Sequence, residues 1–316
     1  MSFGFVFPGQ GSQSVGMLGD LASQPTVRAT FGQASAALGY DLGQLVASGP
    51  EEKLNTTEFT QPALLAAGIA TLRLWRERGG AEPSVVSGHS LGEFTALVCA
   101  GALQFEAAVD LVRHRGRLMQ EAVPAGTGGM AAILGLEDAQ VEQACREAAS
   151  EGVVEAVNFN APGQIVIAGE SGAVQKAIEA AKALGAKRAL ALPVSVPSHS
   201  SLMRGAAERF GEKLKTVRIS TPTLEYISAV DAKAHSDPDD IRALLVKQLA
   251  SPVRWLDTVR SLAATGIAQL IECGPGKVLT GLNKRIDRGG TLQFLSLDDA
   301  ASLDASLATT GGSANA

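Results

Sequence analysis

The spacing of apolar positions changes several times along this chain, and each change predicts an element. Residues 3–7 are a near-continuous apolar run, halted by Pro8 and the turn Gly9-Gln10-Gly11. A run that short and that sharply bounded predicts a buried strand. Helical spacing follows, clearest over 62–78. Residues 84–87 predict a second strand, after which Gly88-His89-Ser90-Leu91-Gly92 turns the chain into a helix towards Gly101. Another helix is predicted over 105–122. Strand, helices, strand, helix is the order in which a parallel α/β sheet is wound.

The middle of the chain alternates faster. Residues 130–136 predict a strand, 138–149 a helix, and 153–160 and 164–169 two strands joined at Ala161-Pro162-Gly163. A helix over 171–184 and a strand over 187–194 complete the set. A β-α-β-β-α-β order within about 70 residues is the ferredoxin-like pattern. The stretches 124–129 and 193–197, punctuated by Gly and Pro, read as hinges on either side. Beyond them helices are predicted over 202–214, 238–249 and 256–264, then a strand over 268–272. Gly274-Pro275-Gly276 turns into a last helix, and 291–297 is a last strand. From about Ala300 the Ala, Ser, Thr and Gly content predicts a frayed tail. The expected fold is an α/β-hydrolase-like parallel-sheet domain, residues 1–125 and 201–316, interrupted by a ferredoxin-like subdomain over 126–200.

Composition narrows the function classes. Hydrophobic residues make up 46% and charged residues 19%, which suits a globular chain with a filled core. The net charge of −5 comes without any basic block, and that argues against nucleic-acid binding. Cys99, Cys145 and Cys273 are odd in number and far apart, so neither a zinc site nor a disulfide framework is indicated. The N-terminus lacks the basic region of a signal sequence. No run reaches the roughly 18 apolar residues of a membrane span. The expectation is a reduced, cytoplasmic protein with no membrane partner and no metal, and a monomer, since no exposed apolar stripe stands out.

Within this frame a few residues carry chemistry. Gly88-x-Ser90-x-Gly92 fits a nucleophile elbow, a tight strand-to-helix turn that lifts a serine oxygen above the sheet edge. The helix N-terminus behind it offers unpaired amides to a developing oxyanion. A serine nucleophile needs a base, and there are four histidines. His89 adjoins the serine, where side chains diverge, and is expected to support the elbow. His114 and His235 sit among polar residues. His199 lies where the inserted segment returns to the larger domain, the place for a cleft, and is the candidate base. Arg115 shares the apolar face of its helix with Leu111, Val112, Leu118 and Met119. A buried guanidinium must meet an anion, either a structural carboxylate or a ligand carboxylate held by two parallel bonds. Gln248, following Leu244 and Leu245, also points inward and needs partners.

Several stretches together resemble the malonyl-CoA:acyl carrier protein transacylase family of fatty-acid synthesis. They are Phe7-Pro8-Gly9-Gln10-Gly11-Ser12-Gln13, Gly88 to Glu93, Arg115-Gly116, Asn158 to Gln164, Pro197-Ser198-His199, Gln248 to Trp255, and Glu272-Cys273-Gly274-Pro275-Gly276. The likeness runs to about residue 297. It implies Ser90 as nucleophile, His199 as base, and Arg115 as partner of the malonyl carboxylate. It also implies the amides of Gln10 and Leu91 as the oxyanion hole, Gln248 orienting the histidine through its carbonyl, and Gln61 lining the pocket. Phe94 stands where tyrosine is frequent. The implied reaction takes malonyl from coenzyme A to an acyl carrier protein through malonyl-serine, with no cofactor beyond the coenzyme A thioester substrate. An acidic carrier would need a basic dock, for which Lys187, Arg188, Lys284, Arg285 and Arg288 are candidates. Rival readings are a serine thioester hydrolase, a transferase for another acyl unit or a polyketide pathway, and a non-catalytic docking subunit.

Overall fold

The computed structural model describes residues 2–310 apart from Ala125 and Ser195. Those two residues fall in the predicted hinges, and 311–316 of the predicted tail also lie outside the described residues. In chain order the elements are β1 (Phe3–Phe7), α1 (Pro25–Leu38), α2 (Leu42–Ser48), α3 (Glu51–Leu54), α4 (Thr57–Glu77), β2 (Val85–Gly88), α5 (Gly92–Cys99) and α6 (Phe105–Glu121). Then come β3 (Gly128–Leu134), α7 (Asp138–Ala148), β4 (Val154–Ala161), β5 (Gln164–Glu170), α8 (Ser171–Ala183) and β6 (Arg188–Ala191). The chain ends with α9 (Arg204–Lys215), β7 (Glu225–Ser228), β8 (Lys233–His235), α10 (Pro238–Lys247), α11 (Trp255–Ala264), β9 (Gln269–Glu272), α12 (Val278–Ile286), β10 (Gln293–Ser296) and α13 (Ala300–Thr310).

The protein is a mixed α/β fold with two sheets. The larger runs β10-β9-β1-β2-β7-β8. Its strands are parallel except β8, which returns antiparallel on β7. β1 lies inside the sheet, buried at every position, which is why it reads as an apolar run rather than an alternating one. Its side chains still alternate between two cores. Phe3, Phe5 and Phe7 join the core that holds α1, α4, α5 and α6. Val6 faces the other, with Val259, Leu262, Leu279 and Leu282 from α11 and α12. The smaller sheet, β4-β5-β3-β6, is antiparallel throughout. Its own core joins Ile133, Ile165 and Ile167 to Val141 of α7 and Val174 of α8. The smaller sheet is tied to the segment before α11, where Phe159 of β4 donates to the Val253 carbonyl at 2.9 Å and Val253 to that of Val157 at 2.8 Å.

Three loops at the carboxyl ends of β1, β2 and β9 press on one another and leave no room for side chains. A Cβ on Gly88 would lie 2.0 Å from the backbone carbon of Gly92, and one on Gly92 would lie 2.0 Å from the Phe7 oxygen. A Cβ on Gly9 would meet the His89 oxygen at 2.5 Å, and one on Gly274 would touch Pro8 at 3.2 Å. Because the obstacles are mostly backbone, they cannot swing away. Gly88→Ala should therefore lower the melting temperature by about 5 °C or more. Thermal unfolding would check this, and an unchanged midpoint would mean that strand and helix can part without loss.

The fold departs from expectation in particular places. The predicted frayed tail is a helix, α13, because Asp299 caps it by accepting the Ser302 amide at 2.7 Å and because Leu303 is fully buried. β7 and β8 were not anticipated, being four and three residues long, too short for period-2 alternation to register. The helix expected from residue 62 starts at Thr57. The helix predicted over 238–249 is α10 followed by a separate 3-10 turn, Gln248–Ala250. That turn places Gln248 at the site.

Candidate active site

Ser90 stands between β2 and α5, raised above the carboxyl edge of the sheet. Its φ is 52°, and that of His199 is 67°. Two of the four non-glycine residues with positive φ among those described are thus this serine and this histidine. Strain held in this way marks a position that the surroundings enforce. Ser90 Oγ and His199 Nε2 are 2.7 Å apart. His199 Nδ1 donates to the Gln248 backbone carbonyl at 2.8 Å, which fixes Nε2 as the acceptor facing the serine. A main-chain oxygen occupies the place where a triad would have a carboxylate. His199 is 4% exposed. Burial, followed by the neighbouring Arg115 charge, pushes its pKa down to about 3, so the ring is neutral and able to take a proton.

Arg115 is 1% exposed. It donates to Gln61 Oε1 at 2.9 Å, Gln248 Oε1 at 2.8 Å and Ser90 Oγ at 3.2 Å. All three partners are neutral. None of the ion pairs among the described residues includes it, and its Nε has no acceptor. The Phe94 ring lies 5.5 Å from the guanidinium carbon. Burial lowers its pKa to about 10, with the Glu93 charge opposing, so the group remains a cation at neutral pH. A buried cation bonded only to neutral oxygens, with a donor to spare, is suited to an incoming carboxylate.

The amides of Gln10 and Leu91 donate to no acceptor among the described residues. Leu91 stands at the N-terminus of α5, and Gln10 follows the β1 turn that presses on His89. A cleft of about 380 Å³ joins these groups: Gln10, Gln61, Ser90, Leu91, Arg115 and His199 line it, as do Asn158 and Leu192 from the inserted segment. A larger apolar groove of about 820 Å³ between α1 and α2 holds none of them, and chemistry rather than volume identifies the site. The structure thus brings together Ser90, His199, Arg115, Gln248, Gln61, Gln10 and Leu91. Of the other histidines, His89 lines the same cleft, whereas His114 and His235 do not. His89 turns away to Asn160 Oδ1 at 2.9 Å and to the Trp255 ring at 5.5 Å. His114 meets Arg117, and His235 meets Asp231.

Glu93 is what sequence reasoning missed. It is 1% exposed, accepts from Gln248 Nε2 at 2.7 Å and from the Tyr226 hydroxyl, and burial holds its carboxyl above the usual range. The signal was available. It is the only charged residue in α5, as Arg115 is the only one on its helix's apolar face.

Comparison with known proteins agrees with this geometry. The acyl transferase domain family matches residues 4–288. The malonyl CoA-acyl carrier protein transacylase of Escherichia coli (strain K12) is 55% identical over 306 residues, 96% of this chain and 98% of that one. The acyl-carrier-protein S-malonyltransferase structure from Burkholderia pseudomallei 1710b superposes with a TM-score of 0.95 at 55% identity, covering 98% of this chain and 100% of that one. A malonyl-transacylase solved in complex with a type II PKS acyl-carrier protein matches with a TM-score of 0.95 at 52% identity, covering 98% and 100%. The chain belongs to the acyl transferase domain family and, within it, to the malonyl CoA-acyl carrier protein transacylases.

Proposed function

We propose that this chain transfers malonyl from malonyl-CoA to the phosphopantetheine thiol of an acyl carrier protein, through malonyl-serine at Ser90. The observation that carries the reading is a buried Arg115 without a carboxylate partner, 3.2 Å from the serine oxygen that His199 activates. Ser90 Oγ attacks the thioester carbonyl while His199 Nε2 takes its proton. The amides of Gln10 and Leu91 hold the oxyanion, and Arg115, steadied by Gln61, holds the malonyl carboxylate. Collapse expels coenzyme A, which leaves as the thiol with the proton from His199. The carrier's thiol then gives its proton to His199 and attacks malonyl-serine, and the departing Ser90 oxygen takes that proton back, restoring both residues. Gln248 keeps the imidazole in the working tautomer throughout. Nucleophile, base and oxyanion donors account for every proton and charge, so the step calls for no metal or redox cofactor.

The likeness to a transacylase seen with a type II PKS carrier supports a polyketide carrier as a second acceptor. Intact-protein mass after malonyl-CoA, and again after holo carrier protein, tests the reading. A malonyl adduct that passes to the carrier is expected. Loss to water without loading of the carrier would replace transfer with hydrolysis.

The β3-α7-β4-β5-α8-β6 order, with the first strand between the third and the last, supports a ferredoxin-like subdomain over 126–200. The parallel sheet with its elbow supports an α/β-hydrolase-like frame over 1–125 and 201–316. No helix among the described residues is long and apolar enough to cross a membrane, and a cytoplasmic monomer is part of the proposal. Lys187, Arg188, Lys284, Arg285 and Arg288 are exposed, and Arg285 of α12 reaches Gln164 of β5 at 2.5 Å. Reversing the charge of Lys284 and Arg285 should raise KM for an acidic carrier roughly tenfold while leaving KM for malonyl-CoA unchanged. An unaltered carrier KM would move the dock elsewhere.

The base sets the pH profile. A group whose pKa is lowered keeps its neutral form to lower pH, and His199 must be neutral to accept the serine proton. Malonyl loading should therefore stay flat between about pH 5 and 8, where an ordinary histidine would lose half its activity near 6.5. Initial rates of adduct formation would check this, and a midpoint near 6.5 would contradict the buried, Arg115-facing base.

A further inference from the structure

The Gln248 amide is fully used, and its orientation is forced. Its Nε2 donates to the Ser90 carbonyl at 2.9 Å and to Glu93 Oε1 at 2.7 Å, leaving Oε1 for the Arg115 guanidinium at 2.8 Å. The Ser90 carbonyl can only accept, as does Glu93 in its carboxylate form. Flipping the amide would aim two sets of N–H groups at each other, across Arg115. A carboxylate at one end and a guanidinium at the other are thus joined by a single amide dipole, all three side chains being 1% exposed.

We infer that Glu93 is the counter-ion of Arg115, acting at one remove through Gln248, and so a positioning residue for recognition of the substrate carboxylate. This rests on the malonyl reading above. A buried guanidinium needs an opposing charge, yet a carboxylate paired directly with Arg115 would occupy the place that a substrate carboxylate must take. Setting the carboxylate one amide away separates the two demands. The charge is offset, the guanidinium is held in one orientation, and Nε remains without a partner. Tyr226 fixes the far oxygen of Glu93, so the carboxylate cannot swing over to Arg115.

Glu93→Gln keeps the shape and removes the charge. Thermal unfolding of wild type, E93Q, R115M and E93Q/R115M, each free, tests the pairing without any substrate. E93Q should melt about 3 °C or more below wild type, and most of that drop should vanish in the R115M background. The same drop in both backgrounds, or none in either, overturns the inference. Acyl loading supplies a second arm. In E93Q the malonyl-enzyme should recover most of the lost stability, since the substrate carboxylate becomes the counter-ion, and the acetyl-enzyme should recover none. Equal recovery with both acyl groups overturns the link to the substrate. Coupling in the free protein with no malonyl adduct at all would keep the counter-ion and discard the malonyl reading. Should E93Q fail to fold alone, a folded E93Q/R115M supports the inference and an unfolded one overturns it.

Discussion

Replacing Ser90 with alanine should erase the malonyl adduct and lower transfer to the carrier by about five orders of magnitude. Among the described residues only this hydroxyl lies against His199 Nε2, at 2.7 Å, and water in its place would hydrolyse the thioester rather than conserve the acyl group. The loss should be chemical and not structural. Alanine at a φ of 52° is strained about as much as serine, and the glycines that allow the turn are untouched. The melting temperature should therefore move by no more than a few degrees while the mass shift disappears. His199→Ala should be nearly as inactive, and the double variant no worse than either alone, because nucleophile and base act as a unit. Intact mass and carrier-loading rates decide it. An adduct surviving in Ser90→Ala would place the nucleophile elsewhere, and additive losses would mean that His199 serves another step.

How far the sequence announces this arrangement depends on what each residue must satisfy. Ser90 is legible because a nucleophile elbow demands small residues on both sides, and the contacts awaiting a Cβ on Gly88 or Gly92 give the reason. Arg115 is legible because a charge on an apolar helix face is an unresolved debt of solvation that only burial with a partner can settle. The same logic exposes Glu93, yet a lone glutamate beside a turn reads as a helix-start charge until its burial is seen. The link between Glu93 and Gln248 spans 155 residues, and no local pattern encodes a contact of that range. His199 is legible by elimination and by its place at the return from the inserted segment, but its neutral state is not. Its low pKa arises from burial and from Arg115, 84 positions away in the chain and adjacent only once folded.

The fold divides along similar lines. β1 and the two central helices, α4 and α6, were legible because long apolar periodicity follows directly from burial on one or both faces. β7 and β8 are too short to have a period. α13 was hidden by composition, since Ala, Ser and Thr suit a helix once Asp299 caps it and Leu303 finds a core, and neither condition is visible locally. The Gln248 turn shows the cost of such blurring. The helix could be read through to residue 249, yet the inward amide was still found, because the residue's spacing from Leu244 and Leu245 survives a local tightening of the helix.

Replacing Arg115 with methionine should reverse the acyl preference, reducing malonyl loading of Ser90 by roughly a thousandfold while leaving acetyl loading level or improved. The magnitude follows from two charge-assisted hydrogen bonds between guanidinium and carboxylate, each contributing about 1.5–3 kcal/mol in a site shielded from water. Removing them strands the malonyl carboxylate in a pocket whose remaining polar side chains, Gln10, Gln61 and Asn158 among them, carry no positive charge. Acetyl has no carboxylate to strand, and a methionine of similar length beside Met119 and the Phe94 ring gives it an apolar wall. Lysine in the same place should recover only part of the malonyl rate, since its point charge cannot offer two parallel donors or bridge Gln61 and Gln248. Competition between malonyl-CoA and acetyl-CoA for Ser90, read by the ratio of the two adduct masses, measures the preference in one tube. A ratio unchanged by the methionine would remove Arg115 from substrate recognition and reduce it to a structural cation. Equal loss of both acyl groups would instead mean that Arg115 acts on the nucleophile, through its bond to Ser90 Oγ, and not on the substrate.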